Sequence, residues 1–564
     1  MKKSILFDFI QLINILQKKE LFLLLISFIL SLIIILIEMV GISIIPISII
    51  NYLDLNQTVF NNIFFSYIKT FDFKNFLIII CVLFFLKSIF TYIHQLYDYI
   101  VIKRIRIQIS NYVYSNNLNK SYLESIKTPS SQKIWLMENA TIFAKLISTY
   151  LTFFKSILLI SVISIIILLA NINFFAYFYL LLFFLITVFY YFFKSSLENA
   201  GKSTILHRKD LQKIIQETFE GLKNIIIYNQ FNFFLKNFKN IFNTREKYAQ
   251  KAFIISQFPA NFLEFIAVIF FCSFVYISFS QGIDKGNFIY SLGLVSYGSI
   301  RIISFVKLGL SNYNNLKEKR YAINLILNEY KKKNNNTNER NFLKFNQIHK
   351  ADKNIIEIKN LKFKFEDSKN LLFNQVNLNL TKDFYVIKGE SGVGKSTMLD
   401  ILMGIIKPDS GEVKYNILNP KIGYVSQECF IINDSIKKNI AFGVLNNEIN
   451  DNKILEKLKM VNLSDHISKL EKGLNTELIN HGLNLSVGQK QRIGIARALY
   501  FEPDVLFLDE PTSSVDNKTE FEILNTLKEL SKSITIIMVS HKENLDFLGA
   551  KTLKLENSNI TQIN

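Results

Sequence analysis

A chain of 564 residues, half of them hydrophobic and 52 of them phenylalanine, exceeds one ordinary soluble core and predicts at least two domains, one of them in a membrane. Its formal charge of +19 comes mainly from scattered lysines, without the basic block interleaved with aromatics that marks nucleic-acid binding, so no nucleic-acid partner is expected. Cys81, Cys272 and Cys429 stand far apart and away from other metal-ligating residues, which excludes a disulfide framework and a zinc site.

The N-terminal Met-Lys-Lys-Ser lacks a small-residue cleavage site before a short apolar core, so no cleaved leader is expected. Leu21 to Ile37 is free of charge and continues past Glu38 to Ile50, enough for a first membrane span at 1.5 Å rise per residue. A second span begins near Phe76. Ser156 to Phe193 carries no charge over 38 residues, too long for one crossing, and Asn171-Ile172-Asn173 divides it into two. A fifth span covers Ile254 to Gly282 and a sixth Asn287 to Leu310.

Segments 103–140 and 195–251 hold six and ten Lys or Arg residues, whereas 51–75, 171–173 and 283–286 hold only Lys69, Lys74 and Lys285. The positive-inside rule therefore places the long basic loops and both termini in the cytoplasm. In the first outer loop Phe60, Ile63, Phe64, Tyr67, Ile68 and Phe71 share one helical face, which predicts a short amphipathic helix. It either covers exposed apolar surface or acts directly on a substrate.

Charges at membrane depth are costly and therefore functional candidates. Counting from the outer ends, Lys87 lies roughly 16 Å deep, Lys155 and Arg301 roughly 21–23 Å, and Lys307 about 30 Å. A cation-lined cavity of this kind suits an anionic headgroup. Snorkelling at a helix end is the competing reading, strongest for Lys307. Glu38 and Glu264 are the acidic residues available as internal partners.

Leu316 to Tyr330 has a helical pattern, and the polar run beginning Lys331-Lys332-Lys333 reads as a linker. The apolar strand Phe384 to Ile387 then runs into Gly389-Glu390-Ser391-Gly392-Val393-Gly394-Lys395-Ser396-Thr397. This is a phosphate loop in its required strand-to-helix setting: backbone N–H groups and a helix N-terminus cradle the phosphates. Lys395 is expected on the β- and γ-phosphates and Ser396 on magnesium. A second apolar strand, Val505 to Leu508, ends in Asp509-Glu510, with Asp509 expected on magnesium and Glu510 polarising the attacking water. Such catalysis rests on positioning and charge stabilisation. ATP and Mg²⁺ are the cofactors implied.

Leu485-Ser486-Val487-Gly488-Gln489, lying between these two motifs, resembles the signature loop of the ATP-binding-cassette (ABC) family, and the resemblance extends along the whole chain. It implies an α-helical six-span transmembrane domain at 1–325, a linker at 326–353 and an α/β P-loop NTPase (ABC ATPase) domain at 354–564. Residue by residue, Phe365 matches the aromatic that stacks on adenine, and Gln427 the glutamine that links magnesium and γ-phosphate to the coupling helices. His541 matches the γ-phosphate histidine, and Ser514-Val515-Asp516 the loop that crosses the dimer interface. The coupling-helix places are Tyr122 to Asn139 and Gln216 to Gln230, and the stretch from Asp434 to Gly443 resembles the exporter subgroup.

In this family a phosphate loop and the signature residues Ser486, Gly488 and Gln489 form one site only across two chains, so a homodimer is implied. Two departures stand out. Val487 replaces the usual Gly, which predicts an intact but altered site. Thr476 to Gly482 lacks the second acidic residue and arginine often found in exporters.

The Phe-, Ile- and Lys-rich pattern also resembles the lipid-linked-oligosaccharide flippases of bacterial protein N-glycosylation. That implies a multi-pass inner-membrane protein whose partner is a lipid-linked anionic substrate. Another amphiphile, such as a lipid A precursor or a drug, is the alternative cargo.

Overall fold

The computed structural model describes residues 5–52, 73–169, 173–280, 285–333, 344–345, 354–366, 368, 370–479, 482–513, 515–542 and 549–563. The expected amphipathic helix at 60–71, the outer turn at 171–172, Ser514, and the side chain of Glu264 lie outside the described residues. The chain divides into two units, Met1–Lys120 with Ser125–Thr337, and Ser121–Glu124 with Asn338–Asn564.

Ile, Leu and Phe run through the first unit, and a helix satisfies every internal backbone donor and acceptor without water. Helices α1 (Ile5–Ile13), α2 (Lys18–Tyr52), α3 (Phe73–Leu118), α4 (Tyr122–Lys127), α5 (Ser130–Leu169), α6 (Asn173–Glu220), α7 (Leu222–Ile227), α8 (Phe231–Ser280), α9 (Lys285–Glu318) and α10 (Arg320–Lys333) follow in order. Six of them are 34 to 50 residues long, much longer than a bilayer needs. They outrun the charge-free stretches that mark them in the sequence, so α5 starts at Ser130, well before the uncharged run that opens at Ser156.

Among the described residues, three stretches are long and apolar enough to cross a membrane: Lys18–Glu38, Leu77–Leu118 and Ser130–Ile165. The apolar portions of α6, α8 and α9 include long runs whose side chains are not described. The short helices α4 and α7 fall in the two places expected for coupling helices.

Residues 326–333, expected to open the linker, are helical. Helix α10 continues to Lys333 because Ile323, Ile326 and Leu327 are buried in a core with Leu12, Ile105, Phe143 and Ile147. Buried Asp8 in α1 receives Arg320 at 2.8 Å and ties the N-terminal helix to this core.

Polar pairs set the register of α2 against α3. Ser27 donates to the Asp98 carboxylate, Tyr97 donates to the Leu23 carbonyl at 3.3 Å, and Lys87 pairs with Glu38. As the α2 partner advances from Ser27 to Glu38, the α3 partner retreats from Asp98 to Lys87, so the two helices run antiparallel in one register. Arg301 of α9 reaches the same Glu38 carboxylate at 2.8 Å. Glu38 is only 5% exposed, and a buried charge without a partner is costly.

The second unit holds two sheets. Strands β1 (Lys344–Phe345), β2 (Asn354–Phe363), β3 (Phe373–Thr381) and β5 (Ser410–Tyr415) form one, in the order β1-β5-β2-β3. Strands β4 (Phe384–Lys388), β6 (Ile422–Val425), β7 (Val505–Asp509), β8 (Thr535–Val539), β9 (Lys551–Glu556) and β10 (Asn559–Ile563) form the other, in the order β10-β9-β4-β8-β7-β6. The central strands pair in parallel and their residues are almost wholly buried, as near-continuous apolar runs require. Helices α11 (Lys395–Leu402), α12 (Ile436–Ile440), α13 (Asp451–Met460), α14 (Ser464–Ser468), α15 (Val487–Tyr500) and α16 (Asn517–Ser531) complete the unit.

Removing Glu38 would leave Lys87 and Arg301 facing one another. Glu38→Ala is expected to destabilise the full chain by about 3 kcal/mol, and adding Lys87→Met should recover a large part of it. Thermal unfolding of the purified protein in detergent measures both, and an unchanged transition in Glu38→Ala would refute this account.

Candidate functional site

The phosphate loop follows β4 directly. Gly389 to Gly394 make the turn, and Lys395, Ser396 and Thr397 open α11. Gly394, the residue before the helix, has φ +106, a conformation costly for any side chain. Lys395 is 6% exposed, and its ammonium donates to the carbonyls of Gly389 at 2.9 Å and Glu390 at 2.8 Å. Burial pulls its pKa down, against the opposite pull of Glu510 and Asp509.

Asp509 closes β7. Burial raises its pKa, partly offset by a hydrogen bond from Ser396. In α11, Asp400 is pushed up to about 6, by burial first and then by Asp509.

Three residues far apart in sequence meet at one carboxylate. Gln427 Nε2 donates to Glu510 Oε2 at 3.0 Å, and His541 Nε2 lies 3.0 Å from Glu510 Oε1. They follow β6, β7 and β8, which are parallel neighbours, so the sheet itself delivers their side chains to one edge. Ligands of open parallel sheets gather at such carboxyl ends. Glu510 adopts φ 47, a strained backbone state for a non-glycine residue. Its N–H is tied to the Val539 carbonyl at 3.1 Å.

The signature loop forms the N-terminus of α15. The Ser486 hydroxyl accepts from the Gln489 N–H at 3.2 Å, and Gln489 Oε1 accepts from the Ser486 N–H at 2.8 Å, a reciprocal capping box. Gly488 is set by packing, since a Cβ there would meet Thr519 Cγ2 at 2.8 Å and Val515 Cγ1 at 3.4 Å. Val487 is the first helical residue, with its side chain 48% exposed. Ordinary helical backbone and open space remove, within this chain, the reason to expect distortion there.

Asp516 caps α16, accepting from the Thr519 N–H at 3.0 Å, and this bond heads the causes that hold its carboxyl below the usual range. Phe365 is 39% exposed and stands edge-on to Phe363, 5.1 Å between ring centres. The unusual 476–482 segment is joined by backbone bonds to the stretch before α12: Ile436 N–H donates to Thr476 at 3.0 Å and Leu478 N–H to Asp434 at 3.0 Å.

Sequence reasoning missed three groups around the signature helix. Gln491, 3% exposed, donates to the Gln427 carbonyl and so joins α15 to the loop after β6. Arg497 donates to the Asn439 carbonyl at 2.7 Å. His466 of α14 touches the Gln489 amide at 3.1 Å. Gln491 and Arg497 lie in the motif's own helix and could have been flagged as polar residues on a buried face. His466 left no signal.

In the helical unit, Lys87 and Arg301 meet at Glu38, and Lys87 lines a groove of about 310 Å³ with Phe84, Thr91 and Gln95. Lys155 lies within α5. Lys307 lies in α9, on the same helix as Arg301.

Residues 373–513 match the family described as ABC transporter. An export ATP-binding/permease protein of Rickettsia typhi is 39% identical over 199 residues, covering 33% of this chain and 34% of that protein. One from Rickettsia felis is 31% identical over 373 residues, 60% of each chain. This chain thus spans about a third to three-fifths of those relatives. A bacterial Atm1-family ABC exporter solved with ATP bound superposes with a TM-score of 0.76 at 16% identity, covering 95% of this chain and 94% of that one. The chain carries an ABC transporter ATPase domain on an ABC exporter fold.

Asp400 offers a pH test. Its folded pKa is raised, so its protonated form favours the fold below pH 4, and that stability is lost as pH rises through about 6. Asp400→Asn should therefore stabilise the protein at pH 8 by about 1 kcal/mol after allowance for solvent screening. The gain should shrink towards pH 5. Thermal unfolding at the two pH values checks it, and an equal gain at both would exclude this cause.

Proposed function

We propose that this chain is half of a homodimeric, ATP-driven transporter with six spans per copy, both termini and the ATPase domain in the cytoplasm of a bacterial inner membrane. The observation that carries the catalytic part is the convergence of Gln427 and His541 on the strained Glu510. In this reading Glu510 polarises the attacking water, His541 contacts the γ-phosphate, and Phe365 stacks on the adenine. Lys395 turns from the Gly389 and Glu390 carbonyls to the β- and γ-phosphates.

The hydroxyl, carboxylate and amide oxygens of Ser396, Asp509 and Gln427 suit magnesium, a hard cation that takes few protein ligands when a nucleotide supplies the rest. Bound there, magnesium would neutralise phosphate charge. Ser486, Gly488 and Gln489 of one copy, with Asp516, would close over the nucleotide held by the other. Closure opens the membrane cavity outward, and hydrolysis resets it.

For the cargo, the proposal is a polyprenyl-pyrophosphate-linked oligosaccharide, moved from the cytoplasmic to the periplasmic leaflet for protein N-glycosylation. Support comes from the resemblance to PglK, the flippase of that process, and from Lys87 and Arg301 around Glu38, cations suited to a pyrophosphate. A second reading, export of another amphiphile, draws on the export-named Rickettsia relatives.

Liposomes holding the purified protein test both parts. Glu510→Gln should lower ATP turnover at least about a hundredfold, the scale of losing a positioned proton acceptor; full turnover in that variant would refute the catalytic assignment. Mixed dimers of Lys395→Ala and Ser486→Ala chains should regain turnover that neither variant has alone, because one composite site is then intact. No recovery counts against a site shared between copies. If ATP moves other lipids but leaves a fluorescent pyrophosphate-linked oligosaccharide in place, the cargo assignment fails.

A further inference from the structure

We infer that His466 is a positioning residue for the composite ATP site, acting through Gln489 on the signature loop, and only as the neutral imidazole. The inference rests on the proposed role of Ser486 at the nucleotide.

Both ends of the Gln489 amide are engaged. Its Oε1 accepts the Ser486 backbone N–H at 2.8 Å, which fixes the orientation, because a flipped amide would set NH₂ against N–H. Its Nε2 therefore faces His466 Nε2, 3.1 Å away. An amide nitrogen only donates, so His466 Nε2 must carry a lone pair, with the imidazole proton on Nδ1.

A protonated imidazole has no acceptor. It would set N–H against NH₂, or else compete with Ser486 for Gln489 Oε1. Either outcome opens one half of the capping box that shapes the N-terminus of α15. The other side of that terminus is braced by Gly488 against Thr519 and Val515, so loss of the His466 contact loosens the loop from one side only.

Charged groups surround this contact on α13 to α16. Asp465, beside His466, accepts from the Ser464 hydroxyl at 3.3 Å. Arg492 of α15 donates to the Asn462 carbonyl at 2.8 Å and pairs with Glu522 of α16 at 2.6 Å. Lys490 neighbours Gln489 on α15, Lys459 lies near the end of α13, and Lys469 follows α14.

Two readouts on the full-length protein test the inference. The first is hydrogen–deuterium exchange of the 485–489 segment without nucleotide. At pH 7.5, His466→Leu should speed exchange about fivefold, the scale of one net hydrogen bond. His466→Gln, which keeps an acceptor and does not titrate, should restore protection. The second is ATP kinetics between pH 7.5 and 5.5. Acidification should raise the KM of the wild type more than that of His466→Gln, while His466→Leu starts with a raised KM at pH 7.5.

Unchanged exchange in His466→Leu, or an equal acid rise of KM in His466→Gln, would overturn the inference. Faster exchange in a protein whose wild type hydrolyses no ATP would uphold the His466–Gln489 link while overturning its role at an ATP site.

Discussion

Parallel pairing of β6, β7 and β8 is the constraint on which the chemistry of the second unit depends. Each strand ends in a different kind of group, an amide, a carboxylate and an imidazole. The pairing brings the amide and the imidazole each to 3.0 Å from an oxygen of the Glu510 carboxylate. Strand spacing of about 4.8 Å matches the reach of these side chains from adjacent strands. The φ of 47 at Glu510 is tolerated because its N–H is bonded to β8 and its carboxylate is held on both oxygens. Strain survives where the surroundings over-determine it.

In the helical unit the corresponding constraint is Glu38. One buried carboxylate draws Lys87 from α3 and Arg301 from α9, so three helices share one polar contact within an apolar surface. Helix packing among lipid tails gains little from hydrophobic burial alone, and such a contact sets register as well as adhesion. If those cations receive an anionic cargo, Glu38 is the group with which the cargo competes.

Much of the site was legible because its motifs are local. The phosphate loop is a continuous stretch whose glycines and helix start follow from backbone geometry, and Asp509-Glu510 sits visibly at a strand end. Val487 was harder to judge. A glycine-to-valine change suggests distortion until the residue is seen at the first helical position with open space around it. His466 was invisible, and the partner of Gln491 was too, because their contacts span 23 and 64 residues and depend on how the small helices pack. Glu38 was visible as a charge in an apolar run, but its two partners emerged only from the helix register.

The linear chain determined the division into an apolar helical half and an ATPase half, the order of the motifs, and which groups are candidates to hold phosphate and metal. Those properties follow from local periodicity and from the fixed chemistry of side chains. Tertiary structure alone decided which residues face each other: Glu38 between two cations, Gln427 and His541 on one carboxylate, His466 against the signature loop. The reason is geometric. Hydrogen bonds and ion pairs act over about 3 Å, while the residues that form them here lie dozens to hundreds of positions apart.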